Sequence, residues 1–134
     1  MNAIFRDIDI TPTSHTPTIS IYQGRCVLSR SACRLLQLSD NHPRIRVRQD
    51  LNNPQRLYIS RSWNDSGYHT VQRKDGKCRI INSVSLSIKL KMLLDGYGTY
   101  KICEDSPVIE DDIISYEIFF KKVRSIQDRY LVKG

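Results

Sequence analysis

Residues 24–38 read GRCVLSRSACRLLQL, and residues 76–96 read GKCRIINSVSLSIKLKMLLDG. The two stretches share few identities but one order. Each opens with Gly and a cation, continues through a short apolar stretch and a small polar residue, and ends in a Leu-rich segment. Two alternating runs follow each: RIRVRQD (44–50) and RLYISRS (56–62) after the first, TYKICED (99–105) and IISYEIFF (113–120) after the second. Internal repetition is read before other features because it sets the architecture. Two such units imply a pseudo-twofold object. Each copy has about 55 residues, near the lower limit for a self-sufficient core, so the copies are expected to interlock.

Working outward, each unit reads as β-β-α-β-β. TISIYQ (18–23) alternates apolar and polar residues, the mark of a half-buried strand, and Gly24 turns the chain into a second strand at Cys26 to Leu28. Ser29 or Ser31 is suited to cap a helix over about 30–38, with Ala32, Leu35, Leu36 and Leu38 on one side. In RIRVR, Ile45 and Val47 face a core and Arg44, Arg46 and Arg48 face outward. In the second unit, residues 68–73 form a strand, and Lys74-Asp75-Gly76 is a tight turn whose Asp-Gly pair tolerates positive φ. Residues 77–81 then return, and Asn82 or Ser83 caps a helix with Leu86, Leu90, Leu93 and Leu94 on one face, ended by Gly96. Residues 100–103 and 113–120 make the closing pair around an acidic loop at Glu110-Asp111-Asp112. The expected organisation is an arm at 1–17, repeats at 18–62 and 67–121, and a basic tail at 122–134. The expected fold is mainly β with short helices (α+β), a pseudo-twofold barrel.

At 134 residues, with 40% hydrophobic and 26% charged, the composition is that of one ordinary globular domain. No stretch approaches the roughly 18 apolar residues of a transmembrane helix, and no apolar targeting segment follows Met1. The expectation is a cytoplasmic protein without membrane association. The net charge is +7, and residues 1–66 hold nine Arg and no Lys against five acids. The Arg fork suits phosphate and guanine better than the point charge of Lys, so basic excess of this kind points to nucleic acid, solubility being the plainer explanation.

These residues resemble the AbrB/MazE swapped-hairpin domain, over about residues 18–121. The first copy is similar in its Gly-Arg turn, three apolar residues, compact Leu/Arg helix and following strand–turn–strand. Ser29 stands where that family commonly has Pro, and Gln37 where it usually has Gly. The resemblance implies hairpins exchanged between two copies and duplex DNA as partner, bound through basic residues near the turns and helices. On that basis Arg25 matches the turn Arg, Arg34 a helical Arg, and Lys77 the second-copy counterpart of Arg25. It also implies a bacterial transcription regulator, either a monomeric pseudo-dimer or a homodimer.

The residues themselves cluster accordingly. Arg25, Arg30 and Arg34 surround one turn and helix start, and Arg73, Lys74, Lys77 and Arg79 surround the other turn. All seven are candidate nucleic-acid contacts, placed by twofold repetition on a common side; a solvated barrel surface is the alternative. Arg44, Arg46 and Arg48 form a second candidate patch, more simply read as protection of a sheet edge. Trp63 and the tyrosines can stack on bases or pack at the core and rim. Catalysis has little support: His15, His42 and His69 lack nearby nucleophiles, and no phosphate loop appears. Cys26, Cys33, Cys78 and Cys103 lack CxxC spacing, which argues against disulfides and zinc, and Cys26 and Cys78, at equivalent repeat positions in apolar runs, read as buried small hydrophobes. No catalytic residue, metal or cofactor is expected. The alternative function is a protein-interaction module, antitoxin-like or scaffolding, using the arm or the tail.

Overall fold

The computed structural model describes residues 16–74 and 76–125. Among them the elements run β1 (Thr18–Tyr22), β2 (Arg25–Leu28), α1 (Arg30–Leu35), β3 (Arg44–Gln49), β4 (Leu57–Arg61), β5 (Tyr68–His69), β6 (Val71–Gln72), β7 (Arg79–Ile81), α2 (Val84–Leu93), β8 (Gly98–Glu110) and β9 (Ile113–Ser125). The strands form one antiparallel sheet in the order β5-β3-β4-β9-β8-β1-β2-β7-β6. The two ends of that order, β5 and β6, are separated in the chain only by Thr70, so the sheet curls until its edges meet there. The architecture is mainly β, a nearly closed barrel-like sheet with two helices.

Alternation places the core as the sequence implies. Ile19 and Ile21, Ile45, Leu57 and Ile59, Tyr100 and Ile102, and Ile118 are buried inside, with Ala32, Leu36, Leu86 and Leu90 supplied by the helices. Each fully buried Ile or Leu contributes about 1.5–3 kcal/mol relative to an exposed one. Ser29 is the cap that α1 uses: its Oγ accepts from Ala32 N at 3.2 Å and from Thr18 N at 3.0 Å, joining the helix start to β1. Ser83 caps α2 in the same way through Leu86 N at 3.2 Å. Of the expected apolar face of α2, Leu86 and Leu90 are buried and Leu94 half-buried, but Leu93 is exposed.

Four boundaries differ from the sequence reading. First, α1 ends at Leu35 rather than near 38, because Gln37 turns left-handed at φ 55°. Leu38 N then reaches Cys33 O and Gln37 N reaches Arg34 O, the paired bonds that close a helix end. Second, the strand expected over 68–73 breaks at Thr70. There Thr70 N donates to Pro43 O, and the chain leaves its partner β3 for β7. Third, β7 starts at Arg79 because residues 73–78 form the turn, closed by Arg73 N to Cys78 O and Gly76 N to Arg73 O, with Gly76 at φ 70°. Asp75 lies outside the described residues. Fourth, β8 and β9 extend as a long hairpin whose two-residue turn is Asp111-Asp112, both at positive φ, and residues 122–125 belong to β9 rather than to a tail. The arm (1–15) and the rest of the tail (126–134) lie outside the described residues. No helix among the described residues is long and apolar enough to cross a membrane.

Candidate nucleic-acid interface

The pairing of β2 with β7 decides where the candidate cations go. Leu28 lies opposite Arg79. Arg25 is three residues back on one strand and Lys77 two residues back on its antiparallel neighbour. Their backbones are therefore separated by roughly 16 Å at about 3.3 Å per residue. The two turns sit at opposite ends of this strand pair, rather than side by side as the clustering implied.

Each turn meets a helix there. The Arg73–Cys78 turn faces α1 across a cleft of about 420 Å³ lined by Arg30, Cys33, Arg34, Gln37, Lys77, Cys78 and Arg79, among others. Arg30 and Arg34 are one helical turn apart and so share a face. Both are exposed, as are Arg73, Lys74 and Lys77. Asp40 is the only carboxylate on this cleft's lining among the described residues, and it is engaged by Arg79.

Arg79 differs from the other six candidates. It is 5% exposed. Its Nε donates to Thr70 Oγ1 at 2.7 Å and its Nη2 to Thr70 O at 3.1 Å, while both Nη atoms reach Asp40 Oδ1 at 3.2–3.3 Å. Its fork therefore bolts β7 to the residue at which the barrel seam closes. This is a structural role, unlike the phosphate contact that its place in the cluster suggested.

The turn at Gly24 meets α2 differently. Ser87 Oγ donates to Tyr22 O and accepts from Gly24 N at 3.2 Å, so helix and turn are sewn together. A Cβ built on Gly24 would lie 3.9 Å from Val84 Cγ2. Arg25 is exposed, its guanidinium 5.3 Å from the Tyr22 ring centroid. Counting from the capping serines, Arg30 and Arg34 are the first and fifth residues of α1, and Val84 and Ile88 are the first and fifth of α2. Cations at this end come from elsewhere: Lys89 and Lys91 on α2, and Lys122 and Arg124 on β9. Lys122 Nζ donates to Asp95 O at 2.9 Å, and Arg124 pairs opposite Thr99. Lys122 and Arg124 escaped the sequence reading because only the β8–β9 register carries residues 122–124 back to α2.

The second candidate patch is largely engaged within the fold. Arg44 donates to Gly67 O at 3.1 Å and Arg48 to Ser115 Oγ at 2.9 Å, leaving Arg46 exposed. Edge protection fits the far half of β3: β5 pairs only with Arg44 and Ile45, and among the described residues no strand pairs with Arg46 to Gln49 on that side. Trp63 is exposed but carries the Arg61 guanidinium 3.6 Å above its ring. Among the described residues no group of three or more His, Cys, Asp or Glu could hold a metal. Cys26 is buried, and Cys33, Cys78 and Cys103 are half-buried free thiols. Burial pushes Cys26 up to about 12 and Cys33 up to about 11, the latter despite the nearby Arg79. His15 lies outside the described residues. No known protein family, curated protein or solved structure matches the chain.

Proposed function

We propose that the protein binds duplex DNA, as a cytoplasmic regulator of the AbrB/MazE-like type built from two swapped-hairpin copies. The pairing scheme supports the duplication. If β5 and β6 are one strand interrupted at Thr70, then β1–β2 answers β6–β7, β3–β4 answers β8–β9, and β1–β8 answers β5–β3. The remaining pairs, β2–β7 and β4–β9, join the two copies to each other and map onto themselves. Gln37 at φ 55° holds a conformation that favours Gly, the residue the resemblance expects at that place.

The observation that carries the DNA reading is the cleft between α1 and the Arg73–Cys78 turn. There Arg30, Arg34 and Lys77 line one concavity, and its one carboxylate among the described residues, Asp40, is engaged by Arg79. Converging cations of this kind neutralise backbone phosphates, and Arg can in addition reach guanine edges. The test is duplex binding by fluorescence anisotropy across a salt series. With about three to four phosphate contacts, affinity falls about 40- to 150-fold between 50 and 200 mM salt. Absence of binding at low salt overturns the reading.

A second reading, a protein-interaction module, is favoured by exposed apolar residues: Val84, Ile88 and Met92 on α2, and Val108, Ile109 and Ile114 on the β8–β9 hairpin. It predicts self-association or partner capture that is insensitive to salt.

A further inference from the structure

We infer that, of the two ends of the β2–β7 pair, only the α1 end seats the phosphate backbone, so that each chain offers the duplex one seat and not two. This rests on the DNA reading above and narrows it. The two helix–turn junctions occupy equivalent places in the strand pairing, and the decisive positions on each helix are its first and fifth residues. In α1 these are Arg30 and Arg34, lining an open cleft with Lys77. In α2 they are Val84 and Ile88, 62% and 45% exposed, continued one turn on by Met92 at 75%. A phosphate approaching α2 as one would approach α1 meets an apolar stripe that offers no hydrogen bond and would have to be stripped of water along with the anion. Ser87 also ties the Gly24 turn directly onto the helix through Tyr22 O and Gly24 N, where the other turn and α1 stand apart across a cleft. The cations at this end stand off that stripe: Arg25 lies against the Tyr22 ring, Lys122 bonds Asp95 O, and Lys89, Lys91 and Arg124 contribute general positive potential rather than a seat. Spacing agrees: half-sites one helical turn apart lie about 34 Å from each other, whereas the two turns are separated by roughly 16 Å.

The experiment compares salt slopes for a fluorescein-labelled random-sequence duplex of about three helical turns. Arg30→Gln with Arg34→Gln lowers the slope of log K against log salt by about 1.8, the loss of two phosphate contacts. Lys89→Gln with Lys91→Gln removes the same formal charge from the other end and leaves the slope unchanged. Equal slope losses from the two Gln pairs would mean that both ends already bind and would overturn the inference while leaving DNA binding intact. A wild-type chain that ignores the duplex at low salt removes the underlying reading instead. Should the Arg30/Arg34 double variant not fold, Arg34→Gln alone is expected to lower the slope by about 0.9, and an unchanged slope refutes the assignment.

Discussion

Replacing Arg79 by Met tests whether the barrel seam is held by one guanidinium. Met keeps much of the length and apolar stem of Arg and deletes only the fork. The structure gives that fork two charge-assisted bonds to Thr70 and an ion pair with Asp40. Bonds from a charged donor contribute about 1.5 kcal/mol each at the lower end of their range, so the Thr70 pair is worth about 3 kcal/mol. Asp40 is 83% exposed, and water screens its share to under about 1 kcal/mol. The expected loss is therefore about 3–4 kcal/mol, a large part of the stability of a domain this size. Urea unfolding reads it directly. With m near 1.5 kcal/mol/M, the midpoint falls by about 2 M at unchanged m. Asp40→Asn, removing only the screened partner, moves it by less than about 0.6 M at the same m. A midpoint for the Met variant within about 0.3 M of wild type would refute the seam argument. A reduced salt slope for DNA binding in the still-folded variant would return Arg79 to the interface.

Gln37 holds a left-handed conformation that favours Gly, and Arg61 Nη1 bonds its backbone carbonyl at 3.0 Å, a contact any residue supplies. Gln37→Gly is expected to raise stability by about 0.5–1 kcal/mol, the left-handed strain relieved less the added freedom of the unfolded chain, measured as a higher urea midpoint. The thiols give a pH prediction. Cys26 and Cys33 titrate higher when folded, about 12 and about 11, than the ordinary value of 9.0. Their burial as neutral thiols therefore supports the fold fully below pH 9, and that support is lost as pH rises toward 11–12. Alkylation of Cys26 by iodoacetamide at pH 8 should proceed at the rate set by unfolding, and labelling as fast as that of an unfolded peptide would contradict its burial.

What was legible in the chain was local. Ser29 and Ser83 could be proposed as caps because a hydroxyl before an apolar-periodic run satisfies amides within three residues of itself. The alternation of Ile45 and Val47, or of Tyr100 and Ile102, announces a face because that face is buried. Where nothing is buried the signal vanishes. Residues 104–107 fall in a register shift and only 108–110 resume pairing with β9; the stretch is exposed and carries Glu, Asp, Ser and Pro, so its composition resembled a loop. The exposed first and fifth residues of the two helices were visible as letters, but their opposition had no meaning until each helix was set against the turn it faces.

Arg79 marks the boundary of such reading most clearly. In sequence, Gly24-Arg25-Cys26 and Gly76-Lys77-Cys78-Arg79 present the same kind of cationic turn, and nothing in either stretch separates a solvated cation from a buried one. The distinction is made 9 residues away, where Thr70 interrupts a strand so that the chain can change partners. That interruption leaves Thr70 O and Oγ1 inside the barrel, where they require a donor. Of the nearby cations, the one whose strand position points inward supplies it. A buried charge in this fold is thus a consequence of closing the sheet, and it can be foreseen only once the closure itself is known.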